Sequence, residues 1–487
     1  MPRFLARKRP RLAEALDVDH FKPTHYFRRT GGAINKILQH NGRVVVCSNT
    51  AGGNMTTGVP PDPYNKAGTL ISWSKRHPLK ILDLEQGCAK NLYGTHFSVH
   101  CIAYDPISNT LASSGADKNV RTWTFEEVAD EEIEDEEVEN EEVEDEDDDK
   151  KKKKPYKKSH SYQYKVKSKA SAPHDLAFKP GESILAIGEK NLTIENITTG
   201  SSHPFPLLSD KSGGHVTGAI EWGCGPSSSF VFALSEPIEK NHRHGYHMAF
   251  DTDTCKSAFK LQTDAGKRNK TFEFDATGAG DNLCVNSTGT TVALVTNDSS
   301  DSFLRIYDVA RKQEKSVQKQ STRTPPPGRT VQNRCLDPFT SEGREVNSMA
   351  FSPDSVYLAI GRDDNCTHVY DTRMLESGIL FDFQHSRTQF TSPDQYLFGV
   401  IGVEWLESRS NRLGLVTGGN DGCVRLWDPL RAKDEGTVLA QANSDLAYFT
   451  LGDPLKGEHG LIWRFRWCGV CHGWASQHVG GYYDLST

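Results

Sequence analysis

Apolar residues along this chain come in short runs of strand length, divided by turn-forming Gly, Asp, Asn and Pro, and three kinds of run recur in a fixed order. Val346-Asn347-Ser348-Met349-Ala350-Phe351 alternates as a strand does when its two faces differ. Ser352-Pro353-Asp354 then turns the chain, Pro presetting φ and Asp bonding nearby backbone. Tyr357-Leu358-Ala359-Ile360-Gly361 is nearly all apolar, as a strand covered on both faces should be. Asp363-Asp364-Asn365 turns into a third strand, Thr367-His368-Val369-Tyr370-Asp371. The opening of this unit recurs in Cys101-Ile102-Ala103-Tyr104-Asp105-Pro106 and in Asp175-Leu176-Ala177-Phe178-Lys179-Pro180.

Each third strand closes on an aromatic or β-branched anchor: Trp73, Trp123, Ile194, Phe250, Tyr307, Tyr370 and Trp427. Most gaps between anchors are 50 to 63 residues, and the longer one, from Trp123 to Ile194, contains a run of charge. A small sheet of this kind cannot bury both its apolar faces alone, so repeated copies must stack on one another. Radial stacking predicts an all-β fold, a β-propeller of seven or eight four-stranded blades. The choice turns on the C-terminus. Leu446-Ala447-Tyr448-Phe449 can open an eighth unit, and Tyr483 falls 56 residues after Trp427, at the right spacing. Between them, Trp463-Arg464-Phe465-Arg466-Trp467-Cys468 reads poorly as a blade. The expected organisation is a basic tail over 1–25 and a propeller over 26–487, interrupted by a disordered insert over 126–160. Residues 460–487 are read as either a last blade or a tail.

The copies Leu111-Ala112-Ser113-Ser114-Gly115-Ala116-Asp117 to Trp123, and Gly418-Gly419-Asn420-Asp421-Gly422 to Trp427-Asp428, resemble the WD-repeat (WD40) family. The resemblance covers roughly residues 33–430, with blades two, six and seven matching well and blades one, three, four and five degenerate. The Gly-His pair that opens a full WD repeat is mostly absent, so the resemblance does not supply the family's buried His–Ser–Asp–Trp network here. The segment Leu358 to Arg373, ending Tyr370-Asp371-Thr372-Arg373, is similar to the box by which WD-repeat substrate receptors dock on the adaptor of cullin-RING ubiquitin ligases. Ile360 stands where that box has a small residue. The resemblance implies that Arg373 reaches the adaptor and that Asp371 orients it.

Charge adds a second theme. Residues 126–169 hold 18 Asp/Glu and 10 Lys, a net of −8, whereas the rest of the chain is near neutral at +1. Like charges at this density repel and leave nothing to bury, which predicts disorder. Acidic runs attract basic partners such as histone tails and speed encounter. The runs Arg7-Lys8-Arg9-Pro10-Arg11 and Lys150-Lys151-Lys152-Lys153-Lys154 look like nuclear-import signals, so the expected location is nuclear or nucleo-cytoplasmic. A near-neutral propeller body gives no reason to expect sequence-specific nucleic-acid binding.

Candidate chemistry is sparse. His242 and His244 would share a face of a strand, with His247 nearby, yet no carboxylate at fixed spacing completes a metal set. Cys468-Gly469-Val470-Cys471-His472 matches a haem-attachment pattern in the wrong context, and no second C-x-x-C completes a zinc site. The glycine-rich stretches lack a P-loop lysine. No run of about 18 apolar residues predicts a membrane-spanning helix, and eleven cysteines in a chain without an apolar leader read as reduced thiols. The sequence therefore predicts a non-catalytic scaffold without cofactor or metal that binds other proteins, first in a nuclear or chromatin-associated assembly. The alternative is a ubiquitin-ligase substrate receptor.

Overall fold

Runs such as Arg43-Val44-Val45-Val46-Cys47-Ser48, whose β-branched side chains suit a pleated surface, are strands as their pattern predicts. The computed structural model describes residues 23–26, 30–54, 62–74, 77–82, 95–124, 163–169, 171–205, 215–237, 245, 247–253, 256–257, 279–298, 301–309, 330–336, 345–386, 399–406, 413–429, 436–441, 446–452, 461–465 and 481–483. Within them, strands pair into eight antiparallel four-stranded sheets.

The first strand in the chain, β1 (Pro23–Tyr26), belongs to the last sheet. Sheet one is β2 (Ile34–His40), β3 (Arg43–Ser48), β4 (Leu70–Ser74) and β5 (His77–Ile81). Sheet two is β6 (Val99–Asp105), β7 (Thr110–Gly115), β8 (Asn119–Thr124) and β9 (Gln163–Ser168). Sheet three is β10 (Asp175–Phe178), β11 (Ile184–Gly188), β12 (Leu192–Asn196) and β13 (Ser202–Phe205). Sheet four is β14 (His215–Trp222), β15 (Phe230–Pro237), β16 (Met248–Asp251) and β17 (Lys256–Ser257). Sheet five is β18 (Ala279–Val285), β19 (Thr291–Asp298), β20 (Asp301–Asp308) and β21 (Thr330–Cys335). Sheet six is β22 (Val346–Phe351), β23 (Tyr357–Arg362), β24 (Cys366–Asp371) and β25 (Phe381–Gln384). Sheet seven is β26 (Gly402–Leu406), β27 (Gly414–Gly418), β28 (Cys423–Trp427) and β29 (Thr437–Gln441). Sheet eight is β30 (Leu446–Leu451), β31 (Leu461–Phe465) and β32 (Gly481–Tyr483), with β1 on its outer edge.

Strand order is sequential in seven sheets; only the eighth borrows a strand, β1 pairing antiparallel with β32. Strand structure thus begins at Pro23, within the segment read as tail. The innermost strands pack in turn from β2 to β30, and β30 meets β2 again, so the sheets close a ring. All seven anchors lie on third strands, and Tyr483 lies on the third strand of the eighth sheet. The second run of that sheet, Leu461–Phe465, is part of the segment whose composition hides a strand.

Each of the eight sheet–sheet interfaces holds its own apolar cluster. Between sheets five and six, for example, Ala293, Val295, Leu304 and Ile306 meet Met349, Leu358, Ile360 and Tyr370. A fully buried Leu or Ile in such a layer contributes about 1.5–3 kcal/mol. Polar links repeat around the ring as well. Trp222 Nε1 donates to Ala177 O of the preceding sheet at 2.9 Å, and Trp405 Nε1 donates to Ala350 O at 2.8 Å. Asn35 and Asn347 donate side-chain N–H groups to Val99 O and Val400 O of the following segment.

Sheet seven contains the buried network that the missing Gly-His pair left unsupported. Trp427 Nε1 donates to Thr417 Oγ1 (2.7 Å), Thr417 lies 2.7 Å from His385 Nε2, and His385 Nδ1 lies 2.9 Å from Asp421 Oδ1. The network assigns the Nδ1 proton to the carboxylate side and lets the threonine hydroxyl donate to Nε2. Burial pushes the Asp421 carboxyl up, but the His385 hydrogen bond, with help from the Cys423 amide and Arg425, holds it below its usual range. Histidine arrives here in Gln384-His385 and the hydroxyl comes from Thr417, so neither matches the family's usual spelling.

The charged run leaves sheet two after Thr124 and returns at Gln163, and these two residues are register partners. Residues 126–160 lie outside the described residues, as do the basic residues Arg7, Lys8, Arg9, Arg11 and Lys150 to Lys154. No helix among the described residues is long and apolar enough to cross a membrane.

Candidate docking site

The antiparallel order of the strands puts the first–second and third–fourth connections of sheets one to seven on one face of the ring, and the remaining connections on the other. Asp371 ends the third strand of sheet six and Arg373 lies in the turn that follows, so both sit on the first of these faces. Local chemistry fixes them. Ser352 Oγ accepts from Tyr357 N at 2.8 Å and Asp354 Oδ1 accepts from Val356 N at 3.0 Å, closing the neighbouring turn. Thr372 Oγ1 donates to Ser355 O and Val356 O, each at 3.0 Å, tying the strand end onto that turn. From sheet five, Gln332 Nε2 donates to Thr372 O at 2.7 Å while its Oε1 accepts from Leu375 N at 2.8 Å. The backbone on both sides of Arg373 is thereby clamped.

On this base Arg373 forms a fork with Asp371: Nε to Oδ1 at 2.9 Å and Nη2 to Oδ2 at 2.6 Å. Its amide also donates to Oδ1 at 2.9 Å. The Arg373 bonds hold the Asp371 carboxyl below its usual range. The guanidinium side chain is still 66 % exposed. Met374 beside it is 61 % exposed and Leu380, just before β25, is 46 % exposed, two of the few large apolar side chains at the surface among the described residues. An arginine held in a fork and exposed beside an apolar side chain has the chemistry that protein interfaces favour. Ile360, the departure from the box, is fully buried between sheets five and six and leaves this geometry undisturbed.

The opposite face carries the mouth of the central channel. There a cavity of about 700 Å³ is bordered by Asn35, Asn49, Asn54, His100, Lys118 and His174. Asn35 and Asn49 exchange side-chain amide bonds at 3.0 and 2.9 Å. The His100 and His174 rings stack at 5.9 Å, nearly parallel, and His100 Nε2 lies 3.3 Å from Asn54 Oδ1. Burial holds both imidazoles below their ordinary range, and the neighbouring ring adds to this at His100. Deeper in, Lys36 Nζ lies 3.5 Å from Cys101 Sγ, which donates to Asp175 Oδ1 at 3.3 Å. Burial pushes the Glu404 carboxyl on β26 up to about 8 and the Tyr448 hydroxyl on β30 up to about 12. These groups can bind and position a ligand.

Of the histidines considered for metal, His247 is buried, with Nδ1 3.4 Å from Ser235 N. His242, His244 and Cys468 to His472 lie outside the described residues. The Met374 side chain was not legible as a site residue, since single exposed apolar residues are ordinary in sequence and only the fold shows that it is exposed.

Eight four-stranded sheets packed in a closed ring define a β-propeller. The family model of the WD domain, G-beta repeat matches residues 86–124, 333–371 and 398–428, which span the first three strands of sheets two, six and seven. Those three segments are WD40 repeats, set within the eight-sheet ring. The fold resembles the Dos1 propeller, at 16 % identity over 96 % of each chain with a TM-score of 0.65. It also resembles Chaetomium thermophilum Sqt1 bound to the N-terminus of the ribosomal protein L10, at 14 % identity over 91 % of this chain and 97 % of that one, with a TM-score of 0.56. Saccharomyces cerevisiae Sqt1 matches at 11 % identity over 96 % of this chain and 100 % of that one, also at 0.56. At these identities the likeness concerns the fold.

Proposed function

We propose that this chain is a non-catalytic protein-binding scaffold that docks through the Arg373 face on the adaptor of a cullin-RING ubiquitin ligase, acting as a substrate receptor. The observation that carries the reading is the Asp371–Arg373 fork, which leaves a pre-oriented guanidinium exposed next to Met374. A partner carboxylate or carbonyl meeting Arg373 spends little side-chain entropy, because Asp371 already holds the fork. The Sqt1 structure with the N-terminus of the ribosomal protein L10 supports a protein-binding role for a propeller of this shape. The opposite face, with its polar channel mouth, then remains for substrate.

A second reading rests on the charge runs: residence in a nuclear, chromatin-associated assembly, with the acidic run meeting basic proteins such as histones and the basic clusters directing import. The two readings are compatible and separable. Affinity purification with mass spectrometry would compare the intact chain, a deletion of residues 126–169 and Arg373→Ala. A cullin adaptor lost only with Arg373→Ala supports the receptor. Histones lost only with the deletion support the chromatin contact, and a partner set unchanged by either variant sinks both.

A further inference from the structure

On the rim of sheet six, remote from Arg373, three different metal-ligating side chains converge. Cys366 and His368 are two residues apart on β24 and so share one face of the sheet, and Asp382 on β25 is the register partner of His368. Their donor atoms all lie within 4.8 Å of one another, and His368 Nε2 is 3.6 Å from Asp382 Oδ1. From this geometry we infer that Cys366, His368 and Asp382 form a binding site for a divalent transition-metal ion of the zinc class.

A tetrahedral zinc ion with bonds of about 2.0–2.3 Å holds its ligand atoms roughly 3.3–3.6 Å apart. The imidazole and carboxylate already stand at that separation, and the thiol closes the rest by side-chain rotation. Thiolate, imidazole and carboxylate together suit zinc or cobalt better than the hard ions magnesium and calcium, which take oxygen alone. Three protein ligands leave a fourth position on the solvent side, where Asp382 is exposed.

The surroundings of the imidazole set its tautomer. Its Nδ1 lies 3.0 Å from Arg362 Nη1 and 3.4 Å from Tyr370 Oη, so Nε2 is the nitrogen aimed at Asp382. Arg362 can only donate, so in the metal-free site Nδ1 accepts and Nε2 carries the proton. A metal on Nε2 shifts that proton to Nδ1, where it is donated to Tyr370 Oη, and Arg362 Nη1 must turn away while Nη2 keeps its 2.6 Å pair with Asp364. The Cys366 thiol, which points at Asp364 O at 3.8 Å, releases its proton to solvent as the metal–sulfur bond forms. Occupancy would fasten the short outer strand β25 to β24. The ligands escape a search for paired spacings because two come from one strand and the third from the strand across it.

The test uses the full-length chain, stripped with chelator and titrated with cobalt(II). The wild type is expected to develop a thiolate-to-cobalt charge-transfer band and tetrahedral visible bands, both erased by added zinc. Cys366→Ser should abolish the charge-transfer band, and Asp382→Asn should weaken cobalt binding at least about tenfold. Both positions reach the surface, so the variants keep the fold where a change at buried His368 endangers it. The double variant Cys468→Ser/Cys471→Ser should keep the band. Absence of a Cys366-dependent band, its loss only in the Cys468/Cys471 variant, or wild-type titration by Asp382→Asn would each overturn the inference.

Discussion

Replacing Glu404 with Gln should make the propeller more stable in alkaline solution while changing little in acid. Glu404 lies half-buried on innermost strand β26, near Tyr448 and accepting from the Leu451 amide. Burial raises its carboxyl from 4.5 to about 8. A carboxyl that holds its proton more tightly when folded favours the fold most below its unfolded value, and that advantage fades as pH rises through 4.5 toward about 8. At 1.36 kcal/mol per pH unit, the span from 4.5 to about 8 sets a ceiling near 5 kcal/mol. Water reaching a half-buried side chain screens much of this, leaving about 2 kcal/mol. Gln keeps the size and an acceptor oxygen for Leu451 but has no proton to lose. Paired denaturant or thermal melts should therefore show Glu404→Gln ahead of wild type by about 2 kcal/mol near pH 9 and level with it near pH 4. Other groups titrate alike in both proteins, so the difference isolates Glu404. A gap that does not change with pH, or a variant less stable in alkali than wild type, would show that the carboxylate is satisfied in its channel and refute the reasoning.

Four further outcomes follow from the same structure. Asp421→Ala removes the acceptor for buried His385 and for Arg425, and should cost about 3 kcal/mol by equilibrium unfolding; Thr417→Val, which deletes only the hydroxyl between His385 and Trp427, should cost about 1–3 kcal/mol. Gly289 has φ of +69° in the turn between β18 and β19, and a Cβ there would run into Cys224 O. Gly289→Ala should therefore lower stability by at least about 2 kcal/mol, and a neutral result would contradict the turn geometry. Joining Thr124 to Gln163 through a short Gly-Ser linker should leave the melting temperature within a few degrees of wild type, because those residues are already cross-strand partners.

What the sequence revealed and what it hid have physical causes. Third-strand anchors such as Trp123, Tyr370 and Trp427 were legible because a fully buried aromatic at a constant strand position leaves a period in the sequence. Sheet eight was half hidden. Its outer strand, Pro23–Tyr26, is supplied from the other end of the chain, and no local pattern announces a pairing across such a distance. The Trp427–Thr417–His385–Asp421 network escaped motif reading since hydrogen bonding asks only for a hydroxyl and an imidazole in reach, not for a Gly-His dipeptide. Asp371 and Arg373 could be named from sequence, whereas their clamp by Gln332 of sheet five could not, being a contact between neighbouring sheets. The Cys366, His368 and Asp382 cluster was missed for the same reason: strand register, not spacing, brings it together.

The central claim is that Arg373 presents a built docking point. Its most direct test is the binding of the purified chain to a purified cullin-RING adaptor, measured by calorimetry for wild type, Arg373→Ala and Met374→Asp, with melts run in parallel. The account predicts measurable wild-type binding, a loss of at least about thirtyfold (near 2 kcal/mol) with Arg373→Ala, a comparable loss with Met374→Asp, and melts unchanged within about 0.5 kcal/mol. No wild-type binding, or equal binding by Arg373→Ala, would contradict it.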